Sequence, residues 1–83
     1  MSKETKEWII HWLEKRNPGV PIDETSDIYS ESLVDSFGII ELVEEVENHF
    51  SIQLEDVELH QPSFRTIQGL SEIINNKLSK ESS

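Results

Sequence analysis

The sequence predicts an all-α fold, a small irregular four-helix bundle of three main helices and one short helix. Three stretches of the 83-residue chain carry apolar side chains at helical spacing, and none alternates apolar and polar residues as a half-buried strand would. Proline, glycine and clusters of small polar residues separate these stretches and favour turns. A chain of this length forms a single small core, so we expect residues 1–83 to be one domain, with its core between about 5 and 78.

The first predicted helix has an apolar face and a clear end. The sequence Asn17-Pro18-Gly19 follows it, in which proline lacks a backbone donor and glycine allows a left-handed exit. We therefore expect this helix to end near Arg16. Its apolar side chains recur at the spacing of one helical turn, with Thr5 one turn before them, and are Trp8, Ile9, Trp12 and Leu13.

Residues 20–34 are predicted to form a long ordered loop between the first two main helices. The segment combines Pro21 with a cluster of Asp, Glu, Thr and Ser, which favours turns over helix. Loops of this length inside a compact domain are uncommon and tend to be functional. The isolated apolar side chains that are expected to hold the loop across the bundle are Val20, Ile22, Ile28, Tyr29 and Leu33.

The second main helix is predicted to run from about Ser36 to Phe50. One stripe of this segment is apolar at the i, i+3, i+4, i+7 spacing of a core-facing helix. Asp35 or Ser36 can accept hydrogen bonds from the free N–H groups of the first turn, and the sequence leaves both alternatives open. The residues of the apolar stripe are Ile39, Leu42, Val43, Val46 and Phe50.

A short helix and a final long helix complete the predicted bundle. Asp56 to Leu59 is expected to form a turn of helix before Pro62, and the last helix is expected to begin between Ser63 and Thr66. Gly69 is expected to weaken the last helix slightly, because glycine has a low helix propensity. The tail, residues 79–83, is expected to fray. The inward side chains of the last helix are predicted to be Ile67, Leu70, Ile73, Ile74 and Leu78.

Negative charge is concentrated in the middle of the chain. The formal net charge is −10 at pH 7, and residues 23–58 contain twelve carboxylates and no Lys or Arg. Nucleic acid and anionic lipid are bound by basic residues, so we expect no nucleic acid partner and no membrane insertion, and a basic protein surface is the expected partner. The alternative is that the carboxylates only keep a small domain in solution.

The sequence carries no signal for export, metal binding or catalysis. No apolar run is long enough to span a bilayer, and the first residues lack the apolar core of a secretory signal, so a cytoplasmic protein is expected. The chain has no cysteine and its three histidines lie far apart, so no metal site is predicted. No phosphate-binding loop or nucleophile motif occurs, and we expect the protein not to be an enzyme.

The face of the second helix opposite its core stripe combines apolar and acidic residues, and we call it the docking patch. Phe37 and Ile40 project outward on the helical wheel, beside several carboxylates. In such a patch the charges steer association with a partner, and the apolar groups supply the desolvated contact. The alternative is that Phe37 folds back under the long loop. The carboxylates of the docking patch are Glu41, Glu44, Glu45 and Glu47.

The segment from Asp35 to Ile52 resembles the acyl carrier protein family, also called phosphopantetheine-attachment domains. The resemblance rests on Asp35-Ser36-Phe37 at the start of the second helix and extends over nearly the whole chain, as in a discrete, stand-alone carrier. It implies that Ser36 receives a 4'-phosphopantetheine arm from coenzyme A, with Asp35 as the flanking residue of the motif. The chain departs from the family pattern at Leu33, where many relatives have Gly, and at Phe37, where Leu is commoner.

The resemblance also implies that the protein carries thioesters for other enzymes. Its expected partners are a phosphopantetheinyl transferase, an enzyme that loads an acyl or aminoacyl group, and a downstream synthase or transferase, and the chain itself is expected to be a monomer. Fatty acid, polyketide, nonribosomal peptide and D-alanylation pathways are all compatible with the resemblance. The alternative is an unmodified acidic helical interaction module with a carrier-like fold.

Overall fold

The computed structural model describes the backbone of residues 2–82 and the side chains of residues 4–79. Within the described backbone no strand forms, and a single isolated bridge joins Asp27 to Thr66. The predicted all-α fold is therefore confirmed, and α1 ends and α2 begins and ends at the predicted residues. The elements are α1 (Ser2–Arg16), α2 (Ser36–Phe50), α3 (Asp56–Leu59), a 3₁₀ helix (Pro62–Arg65) and α4 (Ile67–Ser82).

The core lies where α1, α2 and α4 meet. Leu42 and Val46 of α2 are fully buried, and Ile39, Val43 and Phe50 are partly buried against the same cluster, which confirms the predicted stripe. Removing these apolar side chains from water is the main source of the domain's stability. The fully buried apolar residues of the other two helices are Ile9, Leu13, Ile67, Leu70 and Ile74.

The predicted inner face of α4 is also confirmed. Ile73 is 8% exposed, and Leu78 packs partly buried against the core. Ser71 is fully buried on the same helix, and its hydroxyl donates to the Gln68 backbone oxygen at 2.8 Å, so this polar group is not left without a partner. The fraying of residues 79–83 stays a prediction, because α4 extends to Ser82 and the side chains from 80 onward lie outside the described residues.

The loop between α1 and α2 is ordered, as predicted. The side-chain amide of Asn17 donates to a backbone oxygen of the last turn of α1 at 2.9 Å and to that of Leu33 at 2.8 Å, which joins the two ends of the loop. Ile28 and Leu33 are buried in the core. Val20 and Tyr29 are 42% and 41% exposed, so the expectation that these two side chains hold the loop on the core is wrong.

The start of α4 differs from the prediction because residues 62–65 form a separate 3₁₀ helix. Thr66 lies between the two helices in an extended conformation, with φ −104° and ψ 155°. Its Oγ1 accepts a hydrogen bond from the Gly69 N–H at 3.0 Å. Thr66 therefore caps α4, and the helix begins at Ile67 rather than between Ser63 and Thr66.

Asp27 joins the loop to the 3₁₀ helix. Its Oδ1 accepts hydrogen bonds from the backbone N–H groups of Tyr29 and Ser30, both at 2.9 Å, and its Oδ2 lies 3.5 Å from Arg65 Nε. The backbone N–H of Ser30 is the main reason why the pKa of Asp27 lies below its ordinary value; the Tyr29 N–H and the charge of Arg65 lower it further, against partial desolvation. The ionised carboxylate therefore stabilises this junction.

Acidification is expected to remove the stability that the Asp27 carboxylate contributes. Because the folded-state pKa is lowered, the contribution is present above the unfolded-state pKa, about 3.9, and is lost as the pH falls through the folded-state value. Asp27→Asn should therefore lower the thermal unfolding midpoint at neutral pH and lower it less in acid, as measured by circular dichroism. Asp56→Asn, which removes an exposed carboxylate, is the control. If Asp27→Asn lowered the thermal unfolding midpoint equally at both pH values, this account would be contradicted.

Candidate functional site

Asp35 caps the N-terminus of α2. Its backbone is extended, with φ −89° and ψ −177°, and its Oδ1 accepts a hydrogen bond from the Gly38 N–H at 2.6 Å. Its carbonyl oxygen accepts the first bond of the helix, from the Ile39 N–H at 3.0 Å. Of the two capping alternatives that the sequence left open, the structure therefore selects Asp35.

Ser36 is the first residue of α2, and its side chain is exposed. Asp35 makes the capping bond, and the Ser36 hydroxyl forms no hydrogen bond with any group in the described part of the chain. The helix dipole places partial positive charge at this end of α2, which favours an anion bound here. An exposed hydroxyl that has no hydrogen-bond partner among the described residues can accept a phosphate-containing group in this position.

Two residues, Gly38 in the first turn of α2 and Ser32 in the preceding turn, shape the backbone around the start of this helix. A Cβ at buried Gly38 would lie 3.1 Å from both the Asp35 Oδ1 and the Val34 Cβ, so a larger residue would press on the capping carboxylate. The left-handed residue of the turn is Ser32, with φ 54°. Leu33, one of the two residues that depart from the family pattern, is only 3% exposed and contributes to the core.

The outward face of α2 presents two large apolar side chains close to Ser36. Phe37 is 64% exposed and Ile40 is 57% exposed, so the alternative that Phe37 folds back under the loop is wrong. Glu44 and Glu45 are exposed beside them, and within the described residues neither forms an ion pair or a hydrogen bond. Apolar and acidic groups therefore share one accessible surface next to the serine.

The other two carboxylates of the docking patch are engaged within the chain. Glu41 Oε1 lies 3.0 Å from Arg16 Nη2. Glu47 Oε2 accepts a hydrogen bond from the Leu54 N–H at 2.8 Å and so fastens the segment that follows α2. The patch is thus less uniform than the sequence indicates, because Glu44 and Glu45 are available to a partner and Glu41 and Glu47 already have one.

The acidic middle of the chain is partly neutralised in three dimensions. Residues 23–58 contain no base, but among the described side chains four bases from the two ends of the chain pair with its carboxylates. The sequence pattern therefore overstates the negative charge of this segment, because bases that are distant in the sequence pair with its carboxylates in the folded chain. The pairs are Lys6–Glu24 at 3.5 Å, Arg16–Glu41 at 3.0 Å, Arg65–Asp27 at 3.5 Å and Lys77–Glu58 at 2.8 Å.

A cleft of about 410 Å³ lies along one side of α2. This volume is within the range of small-ligand sites, and the lining is largely apolar. The sequence carried no signal for the cleft, because its walls come from four separate elements: the long loop, α2, α3 and the 3₁₀ helix. Its apolar lining consists of Tyr29, Ile39, Ile40, Val43, Leu59 and Phe64.

Two of the three histidines, His49 and His60, make local structural contacts. His49 stacks on Trp8 with ring centroids 4.8 Å apart, and His60 Nδ1 lies 2.8 Å from the Asp56 backbone oxygen. Among the side chains that the structure describes, no three His, Cys, Asp or Glu residues are placed to hold a metal ion. Over the described backbone, no helix combines the length and the apolar character needed to cross a bilayer.

Comparison with known proteins adds two findings. A family model described as a phosphopantetheine attachment site matches residues 11–74, which include Ser36 and all of α2. The chain is also 39% identical over 54 residues to a protein described as an acyl carrier protein homolog, from Mycoplasmopsis pulmonis (strain UAB CTIP). That match covers 65% of this chain and 71% of the relative.

Proposed function

This chain belongs to the acyl carrier protein family of phosphopantetheine-attachment domains, and we propose that Ser36 is its attachment residue. Members of this family carry the phosphopantetheine group for other enzymes and are not enzymes themselves. One observation supports Ser36 above all: Asp35 caps α2, and the adjoining serine hydroxyl is left exposed and uncommitted. A phosphopantetheinyl transferase would move the group from coenzyme A to this hydroxyl: the Ser36 Oγ–P bond forms, the pyrophosphate P–O bond of coenzyme A breaks, adenosine 3',5'-bisphosphate leaves, and the transferase takes up the hydroxyl proton.

The residues around Ser36 fit a phosphodiester at this position. The Ser36 Oγ supplies the oxygen that bonds to phosphorus, and the N-terminus of α2 stabilises the negative charge that results. Asp35 caps the first turn of the helix, and Gly38 leaves room for its carboxylate. When bound, the group supplies a terminal thiol that holds an acyl or aminoacyl group as a thioester, which the chain cannot supply because it has no cysteine.

Partner enzymes dock, in this proposal, on the docking patch beside the attachment serine. Phe37 and Ile40 provide the desolvated contact, and Glu44 and Glu45 provide free negative charge for a basic enzyme surface. The transferase, the loading enzyme and the downstream synthase or transferase would use the same face in turn. Binding should be weak and sensitive to salt, since a carrier must leave each partner.

The apolar cleft beside α2 supports an acyl cargo. Ile39 and Ile40 line it and lie about one helical turn from Ser36. An acyl chain tethered at Ser36 would leave water on entering this cleft. We therefore favour a fatty acid or polyketide type of pathway over D-alanylation or nonribosomal peptide synthesis, whose aminoacyl cargo gains less from apolar burial.

Intact-mass measurement after incubation with coenzyme A and a promiscuous phosphopantetheinyl transferase tests the proposal. The expected result is the gain of one phosphopantetheine per chain, mapped by peptide analysis to Ser36. Absence of any gain with several transferases would favour the alternative, an unmodified acidic helical interaction module that keeps the carrier fold.

Reversing the free charge on the docking patch is expected to slow this modification. Glu44→Lys should lower the rate on the order of fivefold at low ionic strength, because it replaces an attraction for a basic enzyme by a repulsion. Glu72→Lys on α4 makes the same change in net charge at an exposed position off the patch and is the matched control. At high salt the two variants should be modified at similar rates, because the charges are screened. An equal slowing by both at low salt would count against docking on α2.

A further inference from the structure

Arg16, the last residue of α1, is held in place by two contacts. Its guanidinium lies over the ring of Trp12, with Cζ 4.2 Å from the ring centroid. Its Nη2 also lies 3.0 Å from the Oε1 of Glu41 on α2. A planar guanidinium can stack on an aromatic ring and pair with a carboxylate at the same time, which a lysine ammonium does poorly. The two contacts together therefore fix the charge of Arg16 next to Glu41.

The end of α1 reaches the docking patch because α1 and α2 run antiparallel along this side. Trp8, nearer the start of α1, stacks on His49 near the end of α2. Arg16, two turns farther along α1, meets Glu41 in the first half of α2. Glu41 is thus the carboxylate of the patch that pairs with a cation of α1.

We propose that Arg16 is a specificity-determining residue for the enzymes that dock on α2. It masks Glu41, so that an enzyme docked through Glu44 and Glu45 engages this third carboxylate only by displacing the guanidinium. This inference rests on the proposed function, because it concerns the face on which those enzymes dock. The paired side chains are 39% and 42% exposed, so the masking is partial; an exposed ion pair of this kind changes an equilibrium constant about two- to fivefold.

Arg16→Gln and Lys15→Gln form a matched pair for the test. Both remove one positive charge at the end of α1, but Lys15 is exposed and forms no ion pair within the described residues. The kcat/KM of modification by a promiscuous phosphopantetheinyl transferase with coenzyme A is measured at low salt. Arg16→Gln should raise it about two- to fivefold and Lys15→Gln distinctly less, because only the first unmasks Glu41. Thermal unfolding of each variant verifies that it is folded.

Glu41→Gln completes the design as a double-mutant cycle. It should lower kcat/KM more in the Arg16→Gln background than in the unsubstituted chain, since the carboxylate contributes to docking only when it is unmasked. Equal rates for Arg16→Gln and Lys15→Gln, or an equal effect of Glu41→Gln in both backgrounds, would overturn the inference and leave the proposed function standing. Failure of the unsubstituted chain to be modified would overturn both.

Discussion

Ser36→Ala is expected to abolish modification by a phosphopantetheinyl transferase, with no gain of mass even after long incubation. The substitution removes the oxygen to which the phosphopantetheine group is proposed to bond. The helix itself should be little affected, because Asp35 makes the capping hydrogen bond to the Gly38 N–H and alanine is a good helix former. We therefore expect the free energy of unfolding to change by no more than about 0.5 kcal/mol.

Loss of modification without loss of stability distinguishes an attachment role of Ser36 from a capping role. If Ser36 capped α2, its replacement by alanine would cost about 1 kcal/mol of stability; Asp35→Ala, which does remove the cap, should show that loss. Ser63→Ala removes another exposed hydroxyl from a helix start, that of the 3₁₀ helix, and should leave modification unchanged. A Ser36→Ala protein that still gains one phosphopantetheine would refute the assignment.

The bounds of α2 could be predicted because the signals that set them are local. Two adjacent capping residues, Asp35 and Ser36, and an apolar stripe that ends at Phe50 lie in or next to the segment itself, and both bounds are confirmed. The choice between Asp35 and Ser36 as the cap could not be made in the same way, since both residue types cap helices. It depends on backbone geometry, in which Asp35 is extended and its carboxylate reaches the Gly38 N–H.

The parts of the site that the sequence did not predict are those formed between distant segments. Arg16 and Glu41 are 25 positions apart, and only the antiparallel packing of α1 on α2 brings them to 3.0 Å. The cleft likewise joins Tyr29 of the loop to Leu59 of α3 across α2. Periodicity places each side chain on one face of its own helix, but it does not say which other element that face meets.

Gly69 is the clearest case in which local and tertiary interpretations of one residue disagree. Considered as a helix residue, glycine weakens α4, and alanine would be the better choice by about 1 kcal/mol. In the folded domain, however, a Cβ at this position would overlap the Ser63 backbone oxygen and lie 2.7 Å from its carbonyl carbon and 2.9 Å from its Cα. Gly69 therefore allows the 3₁₀ helix to pack directly on the first turns of α4.

Gly69→Ala is expected to destabilise the domain by about 2 kcal/mol, because the steric overlap outweighs the gain in helix propensity. The atoms that a Cβ would meet belong to backbone, and the next residue, Phe64, is only 1% exposed in the core, so Ser63 cannot withdraw without disturbing buried packing. A change of this size should lower the thermal midpoint by about 10 °C in a domain of this length. Circular dichroism during heating and during urea denaturation measures both quantities.

Asn76→Ala is the matched control for this prediction. Asn76 is exposed on the same helix, so alanine there should bring the propensity gain alone and stabilise the domain by about 0.5 kcal/mol. The two alanine substitutions in α4 are thus expected to change the free energy of unfolding in opposite directions. Helix propensity alone predicts a gain in stability for both. If Gly69→Ala instead raised stability as Asn76→Ala does, the close approach of the 3₁₀ helix to α4 would be wrong, and with it the position of Phe64 beneath the cleft.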